Sequence, residues 1–182
     1  MTATVPNAPD IGMIDRVPAT FAAASLAPLF EGAPSFLRRL VDARPFETWP
    51  RLFEQAGKIA LAMPETEQIE LLNAHPRLGA PPGSVSALSF REQGYHTEAA
   101  EAAAEAQRVV VDRELRELND AYERQFGFRY CVFVAGRSRA ELLPDFRAAL
   151  DAGRADELRR ALDDVIRIAA ARQQRLAEEA IL

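Results

Sequence analysis

Only one stretch of this 182-residue chain, residues 128–135 (Phe-Arg-Tyr-Cys-Val-Phe-Val-Ala), has strand character. A strand satisfies its backbone N–H and C=O groups by pairing, and the sequence offers no second strand to pair with. A sheet is therefore excluded as the core, and this segment is expected to be a buried extended or irregular piece. From Phe21 onward the remaining pattern is helical. The expected fold is all-α: a single-domain multi-helix bundle over residues 18–182. Residues 1–17, with Pro6, Pro9 and Gly12, are read as an irregular arm.

Apolar residues recurring at three- and four-residue steps mark the helices. Leu52, Phe53, Ala56, Ile59, Ala60 and Met63 form one stripe, closed by Pro64. Thr66 is positioned to cap the next helix, which carries Ile69, Leu71 and Leu72 into His75. Pro81-Pro82-Gly83 marks a loop. Val111, Leu115, Leu118 and Tyr122 share a face of a helix ending before Gly127. Ser138 and Glu141 have capping-box spacing and open a helix towards Leu150. Leu158, Leu162, Val165, Ala169 and Leu176 stripe a final helix that runs almost to the terminus. Trp49 and the phenylalanines of the N-terminal half are read as core.

The net charge of −5, with no Lys/Arg-rich run, argues against nucleic acid as a partner. No apolar run is long enough to span a bilayer, and no signal peptide is evident, so neither membrane nor secretion is expected. Cys131, the single cysteine, has no intrachain partner, which suits a reducing, cytoplasmic setting.

His75 lies in Asn73-Ala74-His75-Pro76-Arg77-Leu78-Gly79, where a helical pattern stops. Pro76 disfavours helical geometry for the residue before it, so His75 should be extended, with its ring at a helix end. Histidine is the side chain that changes charge near neutral pH. In Ser89-Phe90-Arg91-Glu92-Gln93, helical spacing brings a hydroxyl, a carboxylate and an amide onto one face, a set suited to a small polar molecule. The same Ser-x-x-Glu spacing is a capping box, and spacing alone favours the cap. Arg137, in Gly136-Arg137-Ser138 at a helix start, could hold a carboxylate or urea-like group, or be a solvated surface arginine. His96 reads as exposed. Two histidines without cysteine partners do not make a zinc site, and no metal is expected.

Taken in order, His75-Pro76-Arg77-Leu78-Gly79, Ser89-x-x-Glu92-Gln93, Asn119-x-x-Tyr122-x-x-x-Phe126-Gly127-Phe128 and Gly136-Arg137-Ser138 resemble the family of 2-oxo-4-hydroxy-4-carboxy-5-ureidoimidazoline (OHCU) decarboxylases. Phe30-Glu31-Gly32-Ala33-Pro34 and Pro45-Phe46 fit as well, and the resemblance extends from about Phe21 to the C-terminus. It implies the last step from urate to (S)-allantoin, an all-helical fold, a homodimer, a small-molecule substrate, and neither metal nor organic cofactor. It implies a catalytic acid–base role for His75. Substrate contacts are implied at Pro76, at Ser89, Phe90, Arg91, Glu92 and Gln93, at the segment beginning Phe128, Arg129, Tyr130, Cys131 and Val132, and at Arg137. Asn119 and Tyr122 are expected to be structural. In our reading, Glu92 orients and charges the His75 imidazole. Two other readings remain open: a paralogue using the same His75/Glu92 pair on another small ureido or oxo acid, and a non-catalytic helical binding module.

Overall fold

The computed structural model describes residues 10–93 and 102–180, and among them the secondary structure is helical with no strand. The helices are α1 (Ile11–Arg16), α2 (Ala19–Leu26), α3 (Pro34–Asp42), α4 (Trp49–Ala62), α5 (Glu65–Ala74), α6 (Ala87–Glu92), α7 (Ala102–Phe126), α8 (Arg139–Ala149) and α9 (Arg154–Glu179). A 3-10 turn, Ala27–Phe30, follows α2 directly. The apolar stripes face one shared core. Leu52, Ala56 and Ala60 of α4, Leu71 and Leu72 of α5, Tyr122 of α7 and Leu162, Val165 and Ala169 of α9 are all buried. Helix α9 packs against α4, α5 and the 27–30 turn. Burial of these faces, rather than helix propensity, holds the bundle together.

The arm is not irregular throughout. Residues 11–16 form α1, capped by the Asp10 carboxylate, which accepts the Met13 N–H at 2.8 Å. Ile14 is fully buried. The Asp15 carboxylate accepts the N–H groups of Phe46 and Glu47, and the Arg44 guanidinium donates to the Ile14 and Val17 carbonyls. These long-range bonds fix a short helix that local proline and glycine content concealed. Residues 1–9 of the arm, and His96, lie outside the described residues.

Two further expectations change. Helix α5 starts at Glu65 behind Pro64, so Thr66 lies inside its first turn and does not cap it. Phe21 is 67% exposed on the outer side of α2, while Phe30, Phe36 and Phe46 are buried; Trp49 and Phe53 are partly buried against the core. Ala22 and Leu26 take the inward positions of α2, and residue 21 sits about 100° round the helix from Ala22. The Ser138–Glu141 capping box forms as expected. Residues 128–135 connect α7 to α8 without helix or strand, and residues 130–135 form one wall of the site.

Candidate active site

Helix α5 ends at His75, whose φ of −75° and ψ of 143° are the extended values that Pro76 enforces. The imidazole is only 4% exposed. Its Nδ1 lies 3.0 Å from the Leu71 carbonyl, one turn back on α5. A carbonyl only accepts, so Nδ1 carries the proton, and in the neutral ring Nε2 then presents a lone pair. Nε2 is buried without a hydrogen-bond partner in the protein. Burial first, and the Arg172 charge second, push the imidazole down to about 4, against smaller opposing effects of the Leu71 carbonyl and Glu31. His75 is therefore a neutral base at pH 7.

His75 borders a cavity of about 220 Å³. Pro76, Leu78, Ser89, Glu92 and Gln93 line it on one side, residues 130–136 on a second, and Ile168, Ala171, Arg172 and Arg175 of α9 on a third. Ser86, not Ser89, caps α6, accepting the Ser89 N–H at 3.2 Å. The capping reading of Ser89 is thus wrong, and its hydroxyl is used elsewhere: it donates to Glu31 at 2.7 Å and accepts from Arg172 at 2.9 Å. Gln93 accepts the Gly79 N–H at 2.8 Å and donates to the Arg77 carbonyl, which fixes the loop leaving His75.

Glu92 does not hold the imidazole. Its two oxygens accept from Nε and Nη2 of Arg172 at 2.7 and 2.9 Å. Arg172, 1% exposed, also donates to Glu31 at 2.8 Å and to the carbonyls of Pro28 and Leu29. The orienting partner of His75 is the Leu71 carbonyl, and the charges that act on it are those of Arg172, Glu31 and Arg129. Burial raises the Glu31 carboxyl, but the Arg172 charge and the Ser89 and Ser86 hydroxyls outweigh it, and the net shift is downward. Glu31 adopts φ 50°, a left-handed conformation uncommon for a non-glycine residue.

Several expected contacts do not reach the cavity. Phe128 is buried among Tyr122 and Phe126. Arg129 instead ties the cavity wall to α5: its guanidinium donates to the carbonyls of Asn73 and His75, both at 2.8 Å, and its N–H goes to the Asn73 side chain. Arg137 clips its own turn, donating to the Phe133 and Val134 carbonyls and pairing with Asp145. Arg91 pairs with Glu179, and neither it nor Phe90 lines the cavity. His75, Pro76, Ser89, Glu92, Gln93, Tyr130, Cys131 and Val132 do line it. The Cys131 thiol is pushed up to about 12 by burial, so it is no thiolate nucleophile at neutral pH. Asn119, bonded to the Leu78 and Leu115 carbonyls, and Tyr122, bonded to Glu157, are structural.

Sequence reasoning missed Glu31, Arg172 and Arg175. Arg172 had a readable signal: it continues the apolar stripe through Val165, Ala169 and Leu176, and a charge on a core face calls for buried partners. The outward wall of the cavity is fixed from α9 too, where Arg160 donates to the Cys131 carbonyl and Asp164 accepts the Phe133 N–H. Among the described residues no helix is long and apolar enough to cross a membrane, and no group of three or more His, Cys, Asp or Glu side chains is placed to hold a metal ion.

A family model described as OHCU decarboxylase matches residues 15–174. The chain is 25% identical over 155 residues to a uric acid degradation bifunctional protein of Bacillus sp. (strain TB-90), covering 85% of this chain and 29% of that protein. It is thus similar to less than a third of that relative's length. It is 27% identical over 152 residues to a 2-oxo-4-hydroxy-4-carboxy-5-ureidoimidazoline decarboxylase of Haloferax volcanii, covering 82% and 83% of the two chains. In fold it is similar to a crystal structure of OHCU decarboxylase in the presence of (S)-allantoin, with a TM-score of 0.62, 22% identity, and coverage of 86% of this chain and 96% of that one. The order of motifs along the sequence, the all-helical architecture and the match across most of the chain agree: the chain belongs to the OHCU decarboxylase family.

Proposed function

We propose that this protein decarboxylates 2-oxo-4-hydroxy-4-carboxy-5-ureidoimidazoline to (S)-allantoin, the last step of urate oxidation, with His75 as its acid–base residue. The observation that carries the reading is the His75 ring itself: neutral, protonated on Nδ1, and bordering the cavity with an unpartnered Nε2. The substrate supplies its own electron sink, a C=N bond beside the carboxylated carbon. When the C–CO₂ bond breaks, its electron pair moves into a new carbon–carbon double bond, and the C=N pair moves to nitrogen, which takes a proton from solvent. The enol so formed loses its hydroxyl proton to Nε2 as the ring carbonyl forms. The imidazolium then returns that proton to the ureido-bearing carbon. Delivery from one fixed side sets the hand of the product. Backbone groups of residues 130–136 hold the ring and ureido polar atoms, while Ser89 and Gln93, bonded within the protein, shape the facing wall. Glu92 acts by holding Arg172.

The support from relatives is the decarboxylase for which the Haloferax volcanii protein is named, together with the family match. The family resemblance also supports a homodimer, and the single unpaired cysteine suits a cytoplasmic setting; sedimentation equilibrium and cell fractionation test these two points. The activity is tested by supplying freshly generated substrate and following optical rotation. The expected outcome is (S)-allantoin formed faster than spontaneous decay, and only the spontaneous, racemic course with His75→Asn. A racemic product from the unaltered protein overturns the proposal.

A further inference from the structure

Two arginines line the cavity from α9, three residues apart on one face, and the protein uses them differently. A guanidinium has five N–H donors. Those of Arg172 are consumed by Glu92, Glu31, Ser89 and the Pro28 and Leu29 carbonyls. Its charge is committed as well, since two carboxylates, Glu31 and Glu92, flank one guanidinium. By itself this cluster gives the cavity a negative wall, which repels an anion.

Arg175 is 36% exposed, and its ion partner is Glu92 at 4.0 Å, beyond hydrogen-bond length. Among the described residues no group accepts a hydrogen bond from it. Its charge brings the Glu31–Glu92–Arg172 wall to neutrality, and its fork of donors remains available to a bound molecule. We infer that Arg175 is the residue by which this cavity selects an anion, its guanidinium taking the carboxylate of an incoming ureido acid on the solvent side of Arg172. The inference deepens the proposed decarboxylase reading and rests on it for the identity of the reacting molecule. The half-exposed position suits the chemistry. Decarboxylation discharges the carboxylate, so a fully desolvated ion pair would stabilise the ground state more than the transition state. A water-screened pair attracts the anion with little of that penalty. Arg175 thus governs capture, not bond breaking.

Calorimetric titration of the full chain with allantoate, a ureido carboxylate, and with allantoin, its neutral relative, tests this without turnover. Arg175→Ala should weaken allantoate about tenfold and allantoin by less than about twofold, in line with one half-exposed charged contact. Arg175→Lys should restore most of the allantoate affinity, and added salt should weaken allantoate binding in the unaltered protein more than in Arg175→Ala. Equal weakening of both ligands, no change in either, or no binding of allantoate to the unaltered protein overturns the inference. In turnover, Arg175→Ala should raise KM about tenfold and should not lower kcat, since the contact removed is one the discharged carboxylate gives up in the transition state; a loss confined to kcat also overturns it. Racemic product from the unaltered protein overturns the decarboxylase reading, while the titration still decides Arg175.

Discussion

His75 owes its chemistry to which of its two nitrogens the backbone occupies. The Leu71 carbonyl takes the Nδ1 proton, and the lone pair is left on the cavity side. That the histidine sits extended at a helix end was legible from Pro76; what holds its ring was not, because the partner is a backbone carbonyl of its own helix, which leaves no mark on residue type. The expectation that Glu92 orients the ring failed for a related reason. Helix spacing shows which residues share a face but not which distant cation reaches them, and here Arg172, eighty positions away, claims both Glu92 oxygens. Removing that cation should be costly. In Arg172→Met, Glu31 and Glu92 become partly buried carboxylates without their main partner, and the expected loss of stability is about 3 kcal/mol by denaturant titration. A variant as stable as the parent would mean that these carboxylates find other partners.

At the scale of the element, the sequence was most readable where one face of a helix is apolar along its length, as in α4, α7 and α9. It was least readable where a short element is held by distant side chains, as in α1. The loop after His75 shows how one backbone position couples two elements. Gly79 has φ 78°, and a Cβ there would lie 2.8 Å from Cδ1 of Leu115 on α7. Its N–H also donates to Gln93, which lines the cavity. Gly79→Ala therefore combines a left-handed backbone penalty with a steric clash against a buried leucine, and should lower stability by more than about 1 kcal/mol. Thermal unfolding measures it; an unchanged midpoint would show that the loop relaxes without strain. The segment 128–135 reads in sequence as a buried extended or irregular piece without a strand partner, and it is irregular, with no strand and Ala135 at φ 52°. Its actual supports, Arg160 and Asp164 of α9, lay outside any local pattern.

Across the whole molecule, the helical bundle encloses the cavity beside His75, and three arginines brace its walls. Arg172 fixes the 27–31 turn and α6, Arg129 fixes α5 to the wall segment, and Arg160 fixes that wall to α9. The ring at the centre is kept dry and near a guanidinium, and both effects favour its neutral form. At pH 7 the molecule thus presents a base ready to accept a proton. Isotope-labelled histidine NMR, followed from about pH 8 to about pH 4 and assigned with His75→Asn, reads this state directly. The account predicts a His75 ring protonated on Nδ1 and still neutral well below 6.5, titrating towards about 4. A ring that titrates near 6.5, or that carries its proton on Nε2, would contradict it.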